Sequence, residues 1–369
     1  MKKKLLSLLI VLSLTLSFTA CGQTTVDKTT NIAENETEIS TEIDTENVAT
    51  EENTEIAETD SSAITEYPIT LVDQAGREVT IESEPQKLVS GYYISTSLLI
   101  PLELEDKLVG IEAKADKRAI YKLSAPELID LPNVGTAKEF DLEGCIALEP
   151  DLVILPLKLK NTAESLEKLN IDVLYVNPEN QELLTEMMTL IGTATNTQEK
   201  TNEIMNFVAK QEEALTNALA NAEAPSVYLA GNSSMLSTAG SAMYQSNMIT
   251  LAGGTNVAAD ITDTYWVEIN YEQLLTWNPE YIILASDASY TVDDVLTDPN
   301  LAECSAVKNN KVYQMPSKAE SWDSPVPSGI LGSVWLASIL HEDLFSADDA
   351  SAIIDEYYET FYDFKYSEK

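Results

Sequence analysis

An α/β protein of two βαβ-type lobes bridged by a single long α-helix is the fold class this sequence predicts. Three observations lead there: short β-branched runs alternate with helical stretches, one long amphipathic stripe separates two sets of them, and segment 142–155 recurs without gaps as 271–284.

The strand candidates are residues 107–111, 151–155, 172–176, 226–230 and 281–284, each short, apolar and rich in Val, Ile or Leu. Such runs separated by helical stretches read as βαβ units. Roughly 300 residues follow Tyr67, more than a single hydrophobic core usually serves, so two lobes are expected. The stripe lies in 197–222, opened by Asn196 or Thr197 as a capping residue and closed before Pro225. Ile204, Phe207, Val208, Gln211, Leu215 and Leu219 recur at helical spacing and give one mostly apolar face. A helix of that length measures roughly 39 Å, enough to run along both lobes and join them.

The repeat aligns Leu142-Glu143-Gly144-Cys145 with Tyr271-Glu272-Gln273-Leu274, and Pro150-Asp151-Leu152 with Pro279-Glu280-Tyr281. Each lobe therefore carries one helix, one Pro turn and one buried strand. A capping candidate, Asp141 or Asn270, stands two residues before a glutamate in each copy. An acid in the first turn complements the helix dipole, which gives Glu143 and Glu272 a purely local reason to be there.

Ahead of the folded part, Lys2, Lys3 and Lys4 precede an apolar run from Leu5 to Leu16, too short to span a bilayer as a helix. Residues 1–20 read as a signal peptide. The junction Ala20-Cys21 resembles the lipobox of bacterial lipoproteins, which would make Cys21 the lipidated first residue of the mature chain and hold it at the outer face of the cell membrane. Residues 21–66 are rich in Thr and Glu and poor in aromatics, a solvated tether that cannot bury enough apolar surface to fold. The remaining boundaries are 67–195 for the N-terminal lobe, 196–222 for the inter-lobe helix and 223–369 for the C-terminal lobe with its closing helices.

Composition excludes several functions. A net charge of −39 argues against a nucleic-acid partner, which requires clustered Lys and Arg. Cys145 and Cys304 stand in apolar contexts and read as small core residues, with no metal site to join. One histidine and two further cysteines do not supply a zinc site or a Ser-His-Asp or Cys-His constellation, and no Walker-type Gly-x-x-x-x-Gly-Lys segment occurs. An enzyme is not expected, and no cofactor.

The order Asp141-Leu142-Glu143, Leu148-Glu149-Pro150-Asp151-Leu152-Val153-Ile154, Leu251-Ala252-Gly253-Gly254-Thr255-Asn256, Tyr271-Glu272-Gln273-Leu274-Leu275 and Asn310-Lys311-Val312-Tyr313 resembles the siderophore, haem and cobalamin binding proteins of bacterial ABC importers. The likeness runs from about Ile69 to Phe345. It implies a ligand cleft between the lobes, and permease docking through Glu143 and Glu272, one acid at the tip of each lobe for a two-fold symmetric permease with its ATPase subunits.

Placed on the family pattern, the cleft candidates in the first lobe are Tyr92, Tyr93, Lys114, Lys117, Arg118, Tyr121, Lys158 and Lys160. The second lobe offers Met243, Tyr244, Tyr265, Trp266, Trp322 and Asp323, while Trp277 and Trp335 read as core. Five cations at two neighbouring loops of an acidic protein suggest an anionic ligand, such as a ferric siderophore complex. A corrinoid is the alternative, since aromatic walls stack on a macrocycle equally well. Haem is the weaker reading, because His341, the one histidine, stands near the end of an apolar helix and is expected to cap carbonyls.

Overall fold

A computed structural model describes residues 64–262 and 265–369. An antiparallel hairpin, β1 (Ile69–Val72) and β2 (Glu78–Ile81), opens it. The first sheet follows with β3 (Leu88–Ser90), β4 (Leu108–Ile111), β5 (Leu152–Pro156) and β6 (Asp172–Val176), all parallel in the order β4-β3-β5-β6. The second half supplies β7 (Ser226–Ala230), β8 (Ser237–Ala239), β9 (Thr255–Asn256), β10 (Trp266–Glu268), β11 (Tyr281–Leu284) and β12 (Val312–Gln314). Of these, β12-β11-β7-β9 form a second parallel sheet, and β8 pairs with β10 antiparallel.

Both sheets are covered on two faces, which is why their strands read as unbroken apolar runs. In β5, Leu152 and Ile154 face one core while Val153 and Leu155 face another. In the second sheet Val227, Leu229 and Ile283 share the core of Leu152, while Tyr228, Ala230 and Ile282 face away into their own. One interior is therefore common to both lobes, flanked by a smaller core on the outer side of each sheet.

The repeat extends to the backbone. Helix Leu142–Ala147 leads through Glu149, left-handed at φ 50°, and Pro150 into β5, and helix Tyr271–Trp277 leads through Asn278, at φ 45°, and Pro279 into β11. Asp151 then accepts from the backbone N–H of Gln86 and Lys87 at 2.8 and 2.9 Å, tying down the start of β3. Glu280 does the same to the N–H of Ser226, at 2.9 Å, at the start of β7. With β7 in the place of β3 and β11 in that of β5, the two sheets have one strand order.

The long helix runs Gln198–Leu219, shorter than the sequence suggests at about 33 Å, because the chain turns out of helix after Leu219. It buries Ile204, Phe207, Val208, Gln211, Leu215 and Leu219 in the shared core. A second bridge is made by the helix Ala347–Tyr362. Its Tyr357 ring meets Phe207 at 5.2 Å, the Tyr362 hydroxyl donates to the Ser97 carbonyl at 3.2 Å, and Ser124 Oγ donates to the Tyr362 carbonyl at 2.9 Å. Cys145 and Cys304 are buried free thiols. The Cys145 thiol is pushed up to about 12 by burial, which keeps it protonated and inert.

Candidate functional site

A cavity of about 460 Å³ opens where the C-terminal ends of both parallel sheets face each other. Loops at such strand ends are the usual ligand sites of open α/β sheets. The first lobe lines it with Tyr92 and Tyr93 after β3, Glu112, Lys114 and Arg118 after β4, Lys158 after β5 and Glu179 after β6. The second lobe contributes Asn232, Met243, Gln245, Trp266, Asp323 and Ser324.

Arg118 is the centre of the cationic side. Its guanidinium lies 4.0 Å from the centroid of the Tyr93 ring, and no described residue offers it a hydrogen bond or an ion pair. Its Nε is buried without a partner. Lys114 stands on a left-handed backbone at φ 70° and leads into the turn 115–117 that carries the chain to Arg118. Burial raises the pKa of Glu112 against the opposing hydrogen bonds of Thr96 and Tyr121, and burial likewise raises that of Asp323. Asp323 is held by Ser286, whose Oγ and N–H donate to it at 2.6 and 3.1 Å. Burial first, then the neighbouring Tyr93, raises the Tyr92 phenol, which stays a neutral donor.

Trp266 forms the aromatic side, 41% exposed on β10. It lies close over the end of β7 because Gly231 is there: a Cβ at that position would come within 2.9 Å of the Trp266 ring.

Six of the cleft residues named from the sequence do not line this cavity. Trp322 is fully buried at 0% exposure, its indole N–H donating to the Tyr358 hydroxyl at 2.9 Å and its ring 5.1 Å from Tyr366. Its polar neighbours Ser321, Asp323 and Ser324 suggest an open loop, but the C-terminal helix covers that loop. Tyr244 is buried, its hydroxyl end against Gly329. Tyr121 is buried behind the wall, where its hydroxyl donates to Glu112 at 2.8 Å. Lys117 pairs with Asp116 at 2.8 Å and borders an adjoining cavity of about 280 Å³, as Tyr121 does. Lys160 and Tyr265 are exposed outside the cleft. His341, read from the sequence as a partner of carbonyls, contacts the Gly253 carbonyl at 3.2 Å and borders a different cavity. Tyr92, Tyr93, Lys114, Arg118, Lys158, Met243, Trp266 and Asp323 do come together. Sequence reading missed Glu112, Glu179, Asn232 and Gln245, isolated polar residues without a motif.

Glu143 and Glu272 are exposed, and neither carboxylate has a partner among the described residues. Helix capping is done instead by Asp141, which accepts from the Gly144 N–H at 2.9 Å, and by Asn270, which accepts from the Gln273 N–H at 2.8 Å. Cys21 lies outside the described residues, among which no helix is long and apolar enough to cross a membrane.

The family model described as periplasmic binding protein matches residues 88–319. The molybdate-binding protein of Haemophilus influenzae is 26% identical over 319 residues, 79% of this chain and 90% of that protein. Its structure with molybdate bound superposes with a TM-score of 0.71, covering 81% of this chain and 99% of the other at 24% identity, a likeness of fold. A Bacillus subtilis protein described as an uncharacterized ABC transporter substrate-binding lipoprotein is 26% identical over 68% of this chain and 78% of its own. The vitamin B12-binding protein of Salmonella typhimurium is 27% identical over 46% of this chain and 64% of its own.

Proposed function

The chain belongs to the periplasmic binding protein family, and from that membership we propose that it is the lipid-anchored receptor of a bacterial ABC importer, taking an anionic iron-siderophore complex into the inter-lobe cleft for transfer to the permease and its ATPase subunits. The family comprises solute-binding proteins, not enzymes, so capture and release are its task.

Arg118 carries the ligand reading. A guanidinium fixed against Tyr93 with its N–H groups unspent is a preformed partner for anionic oxygen, and charge-assisted bonds of this kind are the strong ones. Lys114 and Lys158 add to the same field. The volume of about 460 Å³ is within the usual range for small-molecule sites and leaves room for a chelate. A bare metal oxyanion is the second reading, supported by the molybdate-binding relative.

Titrating the purified full chain with ferric siderophores, molybdate, haem and cobalamin while following tryptophan emission tests this. A saturable loss is expected with an anionic ferric chelate, reduced by Trp266→Phe. Arg118→Met should weaken binding by about 1.5–3 kcal/mol, the range for a hydrogen bond to a charged group. Tight cobalamin binding that ignores Arg118→Met would overturn the anionic reading. Anchoring is part of the same proposal: Cys21→Ala should release folded protein with unchanged ligand affinity, and its retention in salt-washed membranes would refute attachment there.

A further inference from the structure

Gln245 stands on the second lobe's wall of the cleft, 5% exposed, in the first turn of helix Tyr244–Leu251. Its Nε2 donates to the Asp323 carbonyl at 2.6 Å. That bond fixes the sense of the amide, since the reversed side chain would set oxygen against oxygen. The Oε1 is thereby committed as an acceptor, and it is buried with no donor among the described residues. Buried polar atoms are almost always satisfied, and the exceptions in a native fold call for a reason. Another such orphan belongs to a residue of the same cavity, and it has the opposite sense: Arg118 Nε, on the first lobe, is a buried donor with no acceptor.

We propose that the cleft selects a ligand that answers both orphans at once, an anionic metal chelate that presents an oxygen to Arg118 and an amide N–H or hydroxyl to Gln245. This rests on the reading that Arg118 holds the ligand's charge. It narrows that reading, because a fully deprotonated oxyanion such as molybdate has only acceptors and would set a negative oxygen against the Gln245 carbonyl. A chelate bearing both kinds of group also spans the two lobes, so the pair discriminates among ligands by contacts from both sides of the cleft.

Two ferric complexes of equal charge separate donor from anion. Ferric tris-catecholate has acceptors alone, whereas the ferric complex of 2,3-dihydroxybenzamide keeps the same core and adds amide N–H groups. Calorimetric titration of the full chain should give at least tenfold tighter binding of the benzamide complex, with molybdate weaker than either. Gln245→Met should erase the tenfold preference, by weakening the benzamide complex and by relieving the acceptor-only catecholate of the opposed carbonyl, and thermal melting of the variant serves as the control for its fold. The comparison in the unaltered chain needs no variant. Equal affinities for the two complexes, a preference that survives Gln245→Met, or molybdate as the tightest ligand would overturn the proposal while leaving an Arg118-bound anion in place. If neither ferric complex nor molybdate binds, or if Arg118→Met changes no affinity, the underlying reading falls and this one with it.

Discussion

Asp172 opens β6 partly buried, with no ion pair among the described residues. Burial first, then Glu82, Glu167 and Asp151, pushes its carboxyl up to about 6. The sign is the reverse of a salt-bridged acid. Between the unfolded value near 4 and about 6 the folded chain binds the proton more tightly than the unfolded one, so this site is costless below that window and destabilising above it. Asp172→Asn should stabilise the fold at pH 7 by on the order of 1 kcal/mol once solvent screening is allowed for, seen as a higher melting temperature, and the gain should vanish below about pH 4. Differential scanning calorimetry across pH 4–8 checks it; a constant difference at all pH values would refute the assignment. Residues of this kind are poorly legible in a sequence, because what matters is burial and the company of other acids from distant strands. Trp266 and Trp322 show the same limit. Both sit among polar neighbours in the chain, yet one lines the cleft and the other is sealed beneath Tyr358 and Tyr366. Nothing local distinguishes them, since the covering residues come from the last helix.

The repeated helix, Pro turn and strand are the elements the sequence describes best, because their register is carried by side chains a few residues apart. Even the left-handed residue before each proline has an equivalent, Glu149 in one copy and Asn278 in the other. Since Asp141 and Asn270 do the capping, Glu143 and Glu272 are left as two equivalent exposed charges, and we propose that they dock on the permease subunits. Glu143→Ala and Glu272→Ala should each lower uptake by cells, the double variant more, with ligand affinity and melting temperature unchanged. Normal uptake by the double variant would reduce both acids to dipole partners. The bridging helix was equally legible in its stripe, which follows a period of 3.6, and less so in its ends. The second bridge was not legible at all. Tyr357, Phe361 and Tyr362 announce an apolar face, but a periodicity does not say that the face belongs to the opposite lobe.

Across the whole molecule the two lobes are joined by an interior, not merely by a linker. Ile204 and Phe207 of the bridging helix share one core with Leu152 of the first sheet, Leu229 of the second and Tyr358 of the last helix. A closely packed interior resists large relative rotation, so ligand binding should be accompanied by little motion. Small-angle scattering should find the radius of gyration of free and bound protein within about 1 Å of each other, in line with preformed sites. A larger contraction would mean that the shared core yields. The contact between Glu320 of one lobe and Ser97 of the other, with Ser328 Oγ donating to the same carboxyl at 2.6 Å, pins the lobes from a second direction.

The helix Ala347–Tyr362 seals an interior whose other walls are laid down far earlier in the chain. The core shared by both sheets stays open on one side until that helix is in place, while the smaller core on the outer side of each sheet closes without it. The last residues of the chain are therefore what turns two separately enclosed halves into one body.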